Sequence, residues 1–269
     1  MTIPTFISHK YSCPATFCAR MTFVRGRRVM VGLGCLLIAG GLVVAFVVLR
    51  GGGEKAVAPP PAPPRPPPLE RVDDLAARVP PGRQVLLRAR PEGRVLATVS
   101  ARTEFGSPQM LSVAFRKGDW IAVRSPRLGN RQLGWVRATP LRLLRRPVEL
   151  EVDLSRRELI VRDARGLERR ISVAVGARAT RTPIGHFYVT DKLRGADFGT
   201  YYGCCILALS GRQPNLPAGW SGGDRLAIHG SPTPTWGHAV SNGCLHAAEP
   251  DLRYLMKTVP LGTAVRIHA

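Results

Sequence analysis

Leu226-Ala227-Ile228-His229-Gly230 is followed, after a loop rich in Pro, Thr and Gly, by Ser241-Asn242-Gly243-Cys244-Leu245-His246. A short apolar run ending in His-Gly reads as a strand that delivers an imidazole to the edge of a sheet. The loop lets a second short segment return beside it, and that segment presents a cysteine directly after a glycine. A thiol needs a base to become a thiolate at neutral pH, and an imidazole within hydrogen-bond reach is its usual partner. Gly243 permits close approach of the backbone to a substrate, and the Gly243 and Cys244 N–H groups can face a developing oxyanion. The residue types point to acyl transfer, with Cys244 as nucleophile and His229 as general base.

His229-Gly230 followed by Ser241-x-Gly243-Cys244 resembles the signature of the YkuD-type L,D-transpeptidases, which crosslink bacterial peptidoglycan. Val175-Gly176 and the later Thr182-Pro183-Ile184-Gly185-His186-Phe187 resemble the same family, in which a Thr-Pro-x-Gly turn precedes a strand. The likeness covers about residues 148–268 and departs from the usual form at two positions. Asn242 stands where the family has His, and His246 where it often has Arg or Asn.

The resemblance implies a peptidoglycan stem peptide as substrate. Cys244 attacks the carbonyl of its third residue, and an amine of a neighbouring stem resolves the thioester. Water as acceptor would make the protein an L,D-carboxypeptidase, and a decayed site would leave a non-catalytic wall-binding protein. The resemblance further implies that the Gly230 carbonyl orients His229 and that no cofactor is needed. Ser241 and Asn242 are candidates for steadying the loop and the oxyanion, and His246 for binding a substrate carboxylate. Tyr201, Tyr202 and Trp236 fit either ligand packing or a lid.

The net charge of +21, mostly arginine, favours an anionic partner, but it is spread along the chain and no nucleic-acid motif accompanies it. Nucleic acid is therefore not the expected partner. The six cysteines form no disulfide framework and match no zinc-ligand spacing, so no metal site is expected. The adjacent Cys204-Cys205 allows a vicinal disulfide, a bond to another thiol, or two small pocket-wall side chains, the last being preferred.

Residues 1–28 are basic and contain no acidic residue. Val29–Leu49 is an uncharged stretch long enough to cross a bilayer, with positive charge before it placing the rest of the chain outside. A cytoplasmic-membrane anchor is expected over a cleaved signal. Residues 50–70 form a Gly/Pro-rich linker whose proline tract is a semi-rigid spacer.

Residues 71–146 read as short strands: Gln84–Ala89, Val95–Val99, Leu111–Arg116 and Trp120–Arg124. The units Gly118-Asp119-Trp120 and Leu133-Gly134-Trp135-Val136 resemble a bacterial Src-homology-three-like barrel, read either as a wall-binding or substrate-orienting module or, by preference, as a spacer with both tryptophans as core. From Pro147 to residue 269 the pattern is again strands, over Val148–Asp153, Glu158–Arg162, Glu168–Val175, His186–Asp191 and Ala264–Ile267. Leu252, Leu255, Met256 and Val259 recur at helical spacing after Pro250. The segment Gly195–Gly223 reads as a long irregular lid. The expected fold is mainly β: an L,D-transpeptidase β-sandwich with one short C-terminal helix, preceded by a small barrel, the linker and the membrane helix.

Overall fold

The computed structural model describes residues 69–269 apart from Asp73. The basic N-terminus, the apolar span and nearly all of the linker lie outside the described residues. Among those residues, no helix is long and apolar enough to cross a membrane.

The first eight strands are β1 (Glu70–Arg71), β2 (Leu75–Arg78), β3 (Gln84–Arg88), β4 (Val95–Ser100), β5 (Met110–Lys117), β6 (Trp120–Arg124), β7 (Gly134–Arg137) and β8 (Arg142–Arg145). They pair in the order β4-β3-β7-β6-β5-β2-β8, with β1 also on β5. Side chains alternate as a pleat requires: along β3, Val85 and Leu87 are buried while Leu86 is exposed. The inward residues form one cluster around Leu87, Leu111, Val113, Ile121 and Val136. The pairings run as an open path from β4 to β8, so a closed barrel does not follow from them. Trp120 and Trp135, expected as core, are only half-buried. The Arg137 guanidinium lies over the Trp120 ring, 4.9 Å from its centroid, a cation–π contact at the sheet surface.

The second set comprises β9 (Val148–Asp153), β10 (Glu158–Asp163), β11 (Glu168–Ser172), β12 (Val175–Gly176), β13 (Gly185–Arg194), β14 (Cys205–Arg212), β15 (Arg225–His229), β16 (Ala239–Ser241), β17 (Leu245–His246) and β18 (Ala264–His268), with one helix, α1 (Glu249–Thr258), between β17 and β18. Eight of them pair in the order β11-β10-β9-β18-β13-β14-β15-β17, and β12 with β16 forms a separate parallel ribbon. The expected strand Glu168–Val175 is thus two elements, because Val175 leaves β11's ladder to pair with Ala239.

Strand β13 serves two half-sheets. Gly185–Tyr188 pairs with β18, and from Val189 the strand pairs with β14, with an irregularity between Val189 and Asp191. One core fills the space between the halves, with Leu150, Val152, Leu159 and Ile171 from one side and Leu207, Leu209, Ile228 and Leu245 from the other. Two packed halves with a shared core are the layered arrangement of a β-sandwich. Helix α1 begins with Pro250 in its first turn and buries Leu252 and Leu255 in that core.

The lid expected over Gly195–Gly223 is corrected by β14. Cys205–Arg212 is a central strand, buried at seven of its eight positions and paired on both edges. Only its flanks are irregular, including a 3₁₀ turn at Thr200–Tyr202.

The two strand sets meet along defined contacts. Thr103 donates to Asp191 at 2.5 Å, and Glu104 pairs with Arg225. The Asn130 side chain donates to the Arg212 carbonyl at 2.7 Å and accepts from its N–H at 2.8 Å, as a neighbouring strand would. The β6–β7 loop is thereby fixed to the end of β14.

Candidate active site

Strands β15 and β17 run parallel, with Ile228 opposite Leu245 and His229 opposite His246. This short ladder brings the two motif halves together. Ala247 N–H closes it by donating to the His229 carbonyl at 3.0 Å. A pocket at its end is lined by Cys244, His229, His246, Asn242, Tyr201 and Tyr202, together with Trp220 and Arg225. Trp236 is not among the lining residues; Trp220 takes the place expected for it.

His229 is almost fully buried. Its Nδ1 lies 2.6 Å from the Gly230 carbonyl, and a carbonyl only accepts, so Nδ1 carries the proton and Nε2 is left as the acceptor. The Gly230 N–H donates to the Tyr202 carbonyl at 2.9 Å, and a Cβ at Gly230 would stand 2.9 Å from that oxygen and from Gly203 Cα. Glycine is required there by contact alone. Burial pulls the His229 pKa down to about 3, with repulsion from His246 adding to it and the Gly230 carbonyl opposing.

Cys244 is half-buried and is the one free thiol among the described cysteines. Its Sγ lies 3.9 Å from the Arg225 carbonyl. Burial pushes the thiol up to about 11, against a hydrogen bond with the Ala227 backbone. The resting pair is therefore a neutral thiol and a neutral imidazole. Iodoacetamide alkylation of Cys244 is expected to rise about tenfold per pH unit up to about pH 10, because the thiolate is the reactive form. Mass spectrometry at fixed times checks this; a plateau near pH 7 would mean a preformed thiolate.

Ser241 is buried and holds the turn together. Its Oγ accepts from the Gly243 N–H at 3.0 Å and donates to the Cys244 carbonyl at 2.6 Å. The Gly243 amide is thus engaged within the loop in this state, leaving Cys244 as the other amide read as facing an oxyanion. Gly243 has φ +113°, and a Cβ on it would sit 2.1 Å from Gln213 Nε2. Asn242 is exposed at the pocket, while its carbonyl accepts from Gln213. His246 is buried; its Nδ1 is 3.0 Å from Thr235 Oγ1 and its ring centroid 4.6 Å from that of His229. Tyr202 packs edge-on to His229 at 4.9 Å, and Tyr201 meets both imidazoles near 6 Å.

Cys204 and Cys205 form a vicinal disulfide, which corrects their preferred reading as separate pocket-wall side chains. The bond closes a small ring at the start of β14, whose Ile206 pairs with His229.

Three supporting residues were not singled out from the sequence. Gln213, buried, directs its amide N–H₂ to the carbonyls of Thr180, Arg181 and Asn242 at 3.0–3.1 Å. Thr182 Oγ1 accepts from the Gly176 N–H and donates to the Gly243 carbonyl, both at 2.9 Å. The Arg225 side chain is 7% exposed and is satisfied by Leu209, Thr190 and Glu104. Each acts across a long sequence gap, and only Thr182, inside the Thr-Pro-x-Gly turn, carries a local signal.

Residues 147–267 match the family model YkuD, described as an L,D-transpeptidase catalytic domain. Two curated relatives share the provisional name L,D-transpeptidase YkuD. The Bacillus subtilis protein is 30% identical over 125 residues and the Bacillus licheniformis protein 32% over 124; each alignment covers 45% of this chain and 66% of the relative. The match thus spans just under two thirds of their length. Among solved structures, L,D-transpeptidase 3 from Mycobacterium tuberculosis with a faropenem-derived adduct is 14% identical, covering 53% of this chain and 69% of that one, with a TM-score of 0.38. The Enterococcus faecium L,D-transpeptidase C442S mutant is 22% identical, covering 45% and 50%, with a TM-score of 0.35.

Proposed function

We propose that residues 147–267, which match the YkuD L,D-transpeptidase catalytic-domain model, crosslink peptidoglycan stem peptides through a thioester on Cys244. The observation that carries the reading is the His229 Nδ1 contact with the Gly230 carbonyl, which leaves Nε2 as the acceptor in the pocket that holds Cys244. Cys244 Sγ attacks the stem carbonyl as its proton passes to His229 Nε2. The C–N bond to the terminal D-alanine breaks, and the same proton goes to the leaving amine. An amine of a second stem then attacks the thioester carbonyl, expelling the thiol and forming the crosslink. The neutral resting pair supports proton transfer during attack instead of before it.

The uncharged Val29–Leu49 stretch supports a membrane anchor with the catalytic domain on the cell-wall side, and the linker then sets the reach from the bilayer. Incubation of residues 69–269 with a carbapenem, followed by intact-protein mass spectrometry, tests the reaction. One covalent adduct is expected on the parent and none on Cys244→Ala. A folded, reduced parent that forms no adduct would remove the enzyme reading.

A further inference from the structure

A second and larger cleft, of about 1260 Å³, lies on the other side of Gln213 from the catalytic pocket. Gln213 and Asp224 line both. Its charged wall is made by Arg131, Arg157, Arg178, Arg181 and Arg212, with Asp224 and the terminal residue Ala269 also in the lining. Arg212 is engaged by Asp224 at 2.5 Å and by the Pro126 carbonyl. Arg131, Arg157, Arg178 and Arg181 are exposed. Between these charges the lining mixes amide and hydroxyl side chains, such as Gln132 and Asn215, with apolar ground from Leu154, Pro183, Ile184 and Pro214, and Ile184 is 52% exposed.

Four forked cations spaced along a cleft with apolar ground between them suit a chain that alternates carboxylates with aliphatic stretches. Each guanidinium can take a carboxylate bidentately, and Ile184 and Pro183 offer contact to the stretches between. A phosphodiester polymer would leave that apolar ground unused. Arg157 closes the β9–β10 turn at φ +55°, a left-handed turn position that glycine occupies without steric cost.

We propose that this cleft binds an acidic peptide strand through its free carboxylates, beside the catalytic pocket and separated from it by Gln213. Under the proposed reaction, that strand belongs to the peptidoglycan peptides the enzyme joins, so the inference rests on that reading for its biological source. The β6–β7 loop, fixed to β14 by Asn130, supplies Arg131. The first strand set therefore builds part of the cleft.

The test uses Cys244→Ala, so that no covalent chemistry intervenes and the outcome is independent of the adduct experiment. Binding of a fluorescent acidic peptide carrying several carboxylates is measured by anisotropy at fixed ionic strength. Arg178→Ala/Arg181→Ala is compared with Arg90→Ala/Arg94→Ala, which removes the same charge from the β3–β4 turn outside the cleft. The cleft pair is expected to weaken binding about tenfold or more, and the control pair less than about threefold. Arg157→Gly is expected to weaken binding by several-fold without lowering Tm, since glycine suits that backbone. Equal losses in both pairs would show that net charge alone attracts the peptide and would overturn the proposal. So would absence of binding, or a polyphosphate of matched charge that binds more tightly and is not displaced by the peptide.

Discussion

His229→Gln is expected to slow carbapenem acylation of Cys244 by about 10²–10⁴-fold, the range for loss of a positioned general base. Glutamine keeps a polar side chain beside the Gly230 carbonyl but has no nitrogen that can take the thiol proton. Because burial holds His229 near a pKa of about 3, the parent should keep its imidazole neutral, and its acylation competence, well below pH 6. An ordinary histidine would lose base function as pH fell through about 6.5. The linkage to stability has the same window. Between about pH 6.5 and 3 the unfolded chain binds a proton at His229 and the folded chain does not, so folded stability falls as the pH falls. His229→Gln removes that slope. Stopped-flow acylation and urea melts at pH 7 and pH 4.5 check both. A mutant that acylates within about fivefold of the parent would sink the role assigned to His229.

Gly243→Ala should be nearly as damaging, for a steric reason. The added Cβ would lie 2.1 Å from Gln213 Nε2 on a backbone at φ +113°. Gln213 cannot yield without releasing the Thr180, Arg181 and Asn242 carbonyls it holds. The turn carrying Cys244 is then displaced, and a shift on the order of 1 Å costs about 10²-fold in rate. A stability loss of about 2–4 kcal/mol is expected from strain and broken buried hydrogen bonds. Urea melts and adduct formation report the two effects separately. Parent-like stability together with parent-like acylation would show that the turn is more pliant than its contacts imply.

The strands that were legible in the sequence are those with simple periodicity and clear turns. Gln84–Arg88 alternates, Glu158–Asp163 lies between short turns, and α1 shows helical spacing after Pro250. Strand β14 was hidden by its surroundings. Cys204-Cys205-Ile206-Leu207-Ala208-Leu209 is an unbroken apolar run, the mark of a strand buried on both faces. Tyr, Gly and Trp on either side drew it into a longer irregular segment. Strands β2 and β8 were missed because their pairing is with each other and with β5, and Arg142-Leu143-Leu144-Arg145 has no alternation of its own.

At the site, the meeting of Cys244 and His229 in one pocket was readable because both lie within one short stretch, and the Gly230 carbonyl contact followed from the family resemblance. Gln213 and Arg225 act through contacts that only the folded sheet creates. The engagement of the Gly243 amide by Ser241 was equally invisible, since it depends on the turn's conformation.

The parallel ladder that pairs His229 with His246 spans two residues on each strand. Tolerance to insertion and deletion is therefore distributed unevenly around the site. Residues 231–234 lie in the connection before Thr235, so added or lost length there need not move His229 or Cys244. Loss of one residue between Ser241 and Leu245 would shift β17 by a single position and exchange the faces on which Leu245 and His246 stand. The chain's room for variation in length and its reaction chemistry thus lie only a few residues apart.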